Sequence, residues 1–262
     1  MRMPRDALLG PHEPAPAVLS REASTSPFMI VCDHAGNAVP AALRDLGLPP
    51  AELSRHIGWD IGAAGLSEAL GAALGATTIM QRYSRLVIDC NRPPGHATSI
   101  PEISDRTLVP GNAGLAPEDR AARESAIFQP YHALIGRTLN QRARSGQPSV
   151  LVAVHSFTPS FQGTGRPMHV GMLFDREPRL GLALGELLRG EPGLVVADNA
   201  PYALDQETDY TIPVHGEQRE LICVEIEIRQ DLIATPAGQD EWAARLTRLL
   251  PPALALAVAQ DT

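Results

Sequence analysis

The chain has 262 residues, of which 44% are hydrophobic and 20% are charged, and its formal net charge is −8 at pH 7. Such an acidic chain is a poor candidate for binding nucleic acid, which needs clustered positive charge. No apolar run reaches the roughly 18–20 residues of a membrane-spanning helix, so we expect no membrane partner. All 22 basic residues are arginine, which excludes Schiff-base chemistry, a lysine general base and a complete Walker P-loop.

The cysteine pattern indicates the compartment. Cys32, Cys90 and Cys223 are far apart and match neither a zinc motif nor a disulfide framework. The proline-rich residues 1–26 lack the apolar core of a secretory signal and predict a leader that is either mobile or draped over the surface. We therefore expect a cytoplasmic protein with one domain over residues 27–262.

Strand-like and helix-like segments alternate along this domain. Short apolar runs predict strands over residues 28–32, 77–80, 85–89, 149–154, 168–174, 194–197 and 221–228. Helical patterns cover residues 40–46, 51–56, 61–74, 117–144, 179–188 and 241–259, the last interrupted at Pro251 and Pro252. Polar loops are expected over 93–114, 156–167 and 199–213. This alternation predicts an α/β fold in which helices cover both faces of a mostly parallel sheet.

Polar side chains gather where four of these apolar runs end. They are Asp33 and His34 after the first run, Asp89, Asn91 and Arg92 after the third, His155 and Ser156 after the fourth, and Glu225, Glu227 and Arg229 in the last. Ligands of open α/β sheets bind at the carboxyl ends of the strands. We therefore expect these residues to share one site.

The two strand-end histidines, His34 and His155, indicate a metal centre. Catalytic zinc takes three His, Asp or Glu ligands and keeps one position open for water. Asp60 is the candidate for the third ligand, although an Asp in this position also caps helices. Asp33 and Asp89 compete for that place, or they orient a metal-bound histidine.

A hydrolytic site also needs a general base and groups that bind the substrate. Glu225 and Glu227 share one face of a strand, and either is a candidate base. The alternative is a solvent-facing stripe on an edge strand. Arg85 and Arg92 are natural partners of an anionic substrate, unless they pair with the acidic residues of the chain. His215 either contacts substrate or is an ordinary loop histidine.

These segments together resemble the N-formylglutamate amidohydrolase family. The resemblance covers about residues 27–232 and lies in the segments 31–40 (VCDHAGNAVP), 56–63 (HIGWDIGA), 85–93, 154–157 (VHSF), 215–216 and 224–232. It implies a three-layer α/β/α sandwich with a central, mostly parallel mixed sheet, similar to zinc carboxypeptidases and aspartoacylase-type deacylases. It also implies a zinc hydrolase that removes an N-acyl group, typically formyl, from an acidic amino acid such as glutamate.

The resemblance also assigns roles to residues. His34 and His155 match metal ligands of the family. In the related carboxypeptidases the first two ligands follow the pattern H-x-x-E, but here Asn37 stands in the place of that glutamate. We therefore assign the second ligand to Asp60. The remaining assignments are Glu227 as the base, Arg85 as the group that polarises the scissile carbonyl, and Asn91, Arg92, His215 and Arg229 as substrate-binding residues. Three alternatives stay open: a zinc deacylase for another N-acyl substrate, a metal-free protein that binds a small acid, and a structural protein.

Overall fold

The computed structural model describes residues 8–259 of the chain. Its strands are β1 (Ala17–Ser20), β2 (Phe28–Cys32), β3 (Thr77–Gln81), β4 (Ile103–Ser104), β5 (Thr107–Leu108), β6 (Val150–Phe157), β7 (Ser160–Phe161), β8 (Thr164–Gly165), β9 (Val170–Leu173), β10 (Val196–Asp198) and β11 (Cys223–Arg229). Its α-helices are α1 (Pro50–Leu53), α2 (Ala63–Ala73), α3 (Pro117–Arg123), α4 (Gln129–Arg144), α5 (Arg179–Arg189) and α6 (Pro236–Ala259). Within these described residues, no helix has the length and apolarity needed to cross a membrane.

Seven strands form one sheet in the order β1-β3-β2-β6-β11-β9-β10. The four strands β3, β2, β6 and β11 are mutually parallel, whereas β1 and β9 run antiparallel to their neighbours β3 and β11. The predicted mixed, mostly parallel sheet is therefore confirmed. Because the four parallel strands all end at one edge, the residues that follow them converge there.

Helices cover both faces of the sheet and make three layers. On β2, Ile30 and Cys32 pack into the core beneath α2, α5 and α6, whereas Met29 and Val31 pack into the core that includes residues of α4. This alternation is the period-two pattern of a strand, and here both faces are apolar because both are covered. The α/β/α sandwich expected from the sequence is confirmed.

The leader predicted over residues 1–26 contributes an edge strand that we did not predict. Residues 1–7 lie outside the described part of the chain, but β1 pairs with β3, with Ala17 opposite Gln81 and Ser20 opposite Thr78. Arg21 secures the end of β1 by donating to the carbonyl oxygen of Ala76 at 2.9 Å. The surrounding prolines indicated a loop, and tertiary pairing overrides that local signal.

The strand predicted over residues 85–89 is wrong. This segment is irregular, although Leu86, Val87 and Ile88 are fully buried. Side chains from elsewhere take the place of a neighbouring strand: Asn112 donates to the Leu86 carbonyl at 2.8 Å, and Arg123 donates to the Val87 carbonyl at 2.9 Å. Burial gave this run its apolar character, and side-chain hydrogen bonds satisfy its backbone.

The predicted interruption of the last helix is also wrong, because α6 continues through Pro251 and Pro252. Leu249 and Leu250 before the prolines and Ala253 after them are all buried in the core shared with α2 and α5. The packing of this face outweighs the roughly 3 kcal/mol that a proline costs inside a helix.

Gly62 connects the Asp60 segment to α2. Its φ of +84° lies in the left-handed region, and a Cβ atom there would lie 2.0 Å from the carbonyl oxygen of Ile233. A side chain at this position therefore meets both backbone strain and a backbone clash. Gly75 has a φ of +58°, and a Cβ atom added there would have no neighbouring atom within 4 Å.

We expect Gly62→Ala to lower the free energy of unfolding by about 2–5 kcal/mol, because left-handed strain and overpacking add. Gly75→Ala is the matched control, since its only expected cost is the left-handed backbone strain of about 1–2 kcal/mol. Urea denaturation of the two variants and the wild type measures the difference. A cost for Gly62→Ala no larger than that for Gly75→Ala would contradict the role of the Ile233 contact.

Candidate metal and catalytic centre

A cavity of about 130 Å³ opens at the edge where the parallel strands end. Seven of the nine residues assigned to the site line it, as does Glu225, the alternative base: His34, Asp60, Arg85, Asn91, Arg92, His155, Glu227 and Glu225. His34 follows β2, whereas His155 lies inside β6, which continues to Phe157 instead of ending at residue 154. The convergence predicted from the strand ends is therefore present in the structure.

Three ligand atoms meet at the floor of this cavity. The Nδ1 atoms of His34 and His155 lie 3.3 and 2.9 Å from the same oxygen, Oδ2 of Asp60. All three side chains are buried, and their ligand atoms lie within 4.8 Å of one another. The Asp60 carboxylate does not cap α2, whose N-cap residue is Gly62.

Both histidines are oriented through their other ring nitrogen. His34 Nε2 lies 2.7 Å from Asp89 Oδ1, and His155 Nε2 lies 3.0 Å from Asp33 Oδ2. Metal-bound histidines in proteins are commonly held by a carboxylate in this way. Asp33 and Asp89 thus occupy the orienting positions that the sequence left open beside the ligand positions.

The charges of this cluster are concentrated and buried. Burial disfavours protonation of His34 and His155, yet the surrounding carboxylates outweigh burial and raise the pKa of both rings. The pKa of the Asp60 carboxyl is held low because the histidines outweigh the effect of burial. The carboxylates around the two rings therefore favour their protonated form.

The donor set fits a divalent cation. Two nitrogens and one carboxylate oxygen face one point, and each ring presents Nδ1 because a carboxylate occupies its Nε2. A divalent cation would bind the deprotonated Nδ1 atoms, so its binding would release the protons that they carry. A second possible group, His155 with Glu225 and Glu227, shares His155, whose Nε2 is engaged by Asp33.

Glu225 and Glu227 point from β11 towards the cavity, and their surroundings differ. Glu225 Oε2 accepts a hydrogen bond of 3.3 Å from Asn91 Nδ2 and lies 3.9 Å from His155 Nε2. Glu227 Oε2 is buried and has no hydrogen-bond partner among the described residues. Burial raises the pKa of both carboxyl groups. Of the two glutamates, it is therefore Glu227 that has a buried carboxylate oxygen, Oε2, without a hydrogen bond from the described residues.

Both predicted arginines of the cavity are engaged by carboxylates. Arg85 donates through Nε and Nη2 to Asp89 Oδ2 at 3.1 and 2.7 Å, and through Nη1 to Asp60 Oδ1 at 3.3 Å. Arg92 Nη1 donates to Asp209 and to the backbone oxygens of Asn91 and Thr208. Each guanidinium keeps N–H groups beyond these bonds, since it has five.

The structure places two predicted substrate-binding residues outside the cavity. Arg229 is paired with Asp231 at 2.8 Å. His215 is buried in a π-helical segment, Ile212–Gly216, and its Nε2 lies 3.0 Å from His132 Nδ1. His132 Nε2 donates to the Cys90 carbonyl oxygen at 2.8 Å, so its Nδ1 accepts a hydrogen from His215. On this geometry neither Arg229 nor His215 is placed to contact a substrate in the cavity.

Tyr202 and Asp209 are among the cavity-lining residues that we did not predict from the sequence. Both lie in the predicted loop 199–213, which returns over the carboxyl edge of the sheet. The loop itself was identified from its polar composition, but neither residue stands next to a strand end or in a ligand spacing. Only the path of the loop brings them to the site.

Over most of its length the chain is similar to known proteins of one family. The family model described as N-formylglutamate amidohydrolase matches residues 26–234. An N-formylglutamate deformylase from Pseudomonas putida is 30% identical over 168 residues, 60% of this chain, and the chain spans only 58% of that relative's length.

Two solved structures share the fold. The crystal structure of a gene product from Agrobacterium tumefaciens superimposes with a TM-score of 0.91 and 34% identity, covering 95% of this chain and 98% of that one. An N-formylglutamate amidohydrolase from Ralstonia eutropha has a TM-score of 0.67 at 22% identity, covering 92% of this chain and 98% of that one.

The His132–His215 pair predicts a pH dependence of stability. Burial lowers the pKa of His215 to about 3 and that of His132 to about 4, whereas an unfolded chain takes up these protons near pH 6.5. The unfolded state then binds more protons between these values, so stability falls as the pH falls below about 6.5. Between pH 6.5 and pH 4.5, we expect the free energy of unfolding of His215→Gln to fall by about 2 kcal/mol less than that of the wild type.

Chemical denaturation at the two pH values measures this difference. His12→Gln is the control, because His12 is exposed and its replacement should leave the wild-type loss unchanged. An equal loss of stability in His215→Gln and the wild type would show that His215 is not held neutral.

Proposed function

The chain belongs to the N-formylglutamate amidohydrolase family, and we propose that it hydrolyses N-formyl-L-glutamate, or a close N-acyl derivative of an acidic amino acid, with a divalent metal ion. The products are the free amino acid and formate. The observation that carries the proposal is the set His34 Nδ1, His155 Nδ1 and Asp60 Oδ2, with a carboxylate on the second nitrogen of each ring. Two nitrogens and one carboxylate oxygen are typical ligands of catalytic zinc.

A bound zinc ion would supply Lewis acidity to the acyl carbonyl and make water a better nucleophile at neutral pH. The residues of the chain supply the proton transfers. Glu227 Oε2, the free acceptor in the cavity, takes the proton of the attacking water. The same carboxyl group then gives that proton to the leaving amine when the amide bond breaks.

The cavity arginines bind the charges of the substrate and of the transition state. Arg85 is fixed by Asp60 and Asp89, and its remaining N–H groups stabilise the oxyanion that develops on the acyl carbonyl. Arg92 holds the α-carboxylate of the substrate, with its own orientation set by Asp209 and two backbone oxygens. Asn91 links the two halves of the site, because its side chain contacts Glu225 and accepts from the Thr211 N–H.

Metal content gives the first test. We expect the wild type, purified without chelator or nickel affinity, to hold about one zinc per chain. His155→Ala should lose it, because one of three protein ligands is removed. His215→Gln is the matched control: it changes a buried histidine outside the cavity and should keep the metal. Absence of metal from the wild type after zinc is supplied would contradict the proposal.

The role of Glu227 gives the second test. We expect Glu227→Gln to lower kcat for N-formyl-L-glutamate by roughly 10²–10⁴-fold, the usual contribution of a general base, with metal content unchanged. Glu225→Gln is the matched comparison from the same strand and should have a smaller effect, since Glu225 is already engaged by Asn91. A larger loss in Glu225→Gln than in Glu227→Gln would assign the base to Glu225.

A further inference from the structure

A third arginine, Arg166, stacks on aromatic rings that line the cavity and differs from Arg85 and Arg92 in its partners. Arg85 is engaged by Asp60 and Asp89, and Arg92 by Asp209. Arg166 has no carboxylate within ion-pair distance among the described residues. Its one side-chain hydrogen bond in that part of the chain runs from Nη1 to the Tyr202 hydroxyl oxygen, at 3.0 Å.

Aromatic rings hold the Arg166 guanidinium in place. Its Cζ atom lies 4.8 Å from the ring centre of Tyr202, 4.9 Å from that of Phe161 and 5.8 Å from that of Phe157. Arginine stacks on aromatic faces and keeps the N–H groups at its edge available for hydrogen bonding. The half-buried guanidinium is therefore fixed in position and still has unused donors.

These rings belong to the walls of the site. Phe157 and Tyr202 line the cavity that contains the metal-ligand cluster. Phe161 and Tyr202 line an adjoining outer cavity of about 310 Å³, which shares His56, Arg85 and Arg92 with the inner one. Arg166 also lies close enough to His56 to oppose its protonation, although burial is the largest cause of the lowered pKa of that ring. The cation thus packs against Tyr202, which lines both cavities.

The proposed substrate has two carboxylates. The three arginines near the cavity differ in how far carboxylates of the protein already engage them. Arg85 already balances two carboxylates of the protein next to the metal ligands. Arg92 is available to one substrate carboxylate through the N–H groups that Asp209 does not take. A second carboxylate needs another donor near the cavity. Arg166 is held against two residues of the cavity wall and has no ion-pair partner in the described part of the chain.

We propose that Arg166, held by Tyr202, Phe157 and Phe161, binds the side-chain carboxylate of the substrate and determines the preference for acidic over amide side chains. This inference rests on the proposed function and adds a specificity-determining residue to it. A charge-assisted hydrogen bond to a carboxylate is replaced by a weaker neutral one when the side chain is an amide. The preference should therefore depend on the charge at position 166.

The test compares N-formyl-L-glutamate with N-formyl-L-glutamine as substrates of the zinc-loaded protein. We expect Arg166→Gln to lower kcat/KM for the glutamate substrate by about 10- to 100-fold, mainly through KM, and to change that for the glutamine substrate less than about 3-fold. Arg166→Lys keeps the charge and should restore most of the preference. Tyr202→Phe removes the hydroxyl that orients Arg166 and should weaken the preference less than Arg166→Gln.

Arg245→Gln is the matched control. Arg245 also stacks on an aromatic ring, with Cζ 4.8 Å from the ring centre of Trp242, but it lies on α6 and is paired with Glu241. Its replacement should leave both substrates unaffected. A loss of the same factor for both substrates in Arg166→Gln would assign Arg166 a structural role and overturn the inference, as would an unchanged preference.

Calorimetric binding of L-glutamate and L-glutamine to the same proteins gives a readout that needs no turnover. We expect the wild type to bind glutamate more tightly, and Arg166→Gln to lose that difference. Equal binding of the two by the wild type, or a preference that survives Arg166→Gln, would overturn the inference. If the wild type hydrolyses neither substrate, the proposed function fails, and the binding preference still decides the role of Arg166.

Discussion

The carboxylate of Asp60 is the constraint on which the site depends. It is buried, and its Oδ2 atom lies within 3.3 Å of His34 Nδ1, His155 Nδ1 and the backbone N–H of Ser156. A buried charge without partners costs several kcal/mol. The fold must therefore keep the segments that carry these three partners next to Asp60. The same arrangement gathers His34, Asp60 and His155, the three residues of the proposed metal site.

The sheet explains why distant segments reach Asp60. Parallel β2 and β6 deliver His34 and His155, and β11 delivers Glu227 opposite His155 in the register. The reversed strand β9 serves a different purpose: Gly171 lacks a Cβ atom that would lie 2.0 Å from the Ala200 carbonyl oxygen. This close approach lets the loop after β10 turn back over the sheet and bring Tyr202 to the cavity mouth.

The parts of the molecule that could be predicted from sequence are those with a local signal. The run before Asp33 is apolar, short and bounded by polar residues, so it indicated both the strand and the position of His34. The run at residues 86–88 has the same signal and is no strand, because Asn112 and Arg123 replace the missing ladder. Their long-range hydrogen bonds, like the loop that carries Tyr202, leave no pattern within a sequence window.

At two positions the structure gives a physical reason for arginine in place of lysine. Arg123 is fully buried and binds two backbone carbonyl oxygens and the Asn112 side chain at once, and Arg85 bridges two carboxylates. A lysine has one ammonium group on a flexible stem and is more strongly hydrated, so it would match neither set of partners. The planar guanidinium therefore fixes the segment 85–112 that carries Asp89, Asn91 and Arg92, and with it one wall of the site. Both arginines thus hold backbone or carboxylate groups in place. Only the N–H groups of Arg85 that these contacts leave unused are available to a ligand.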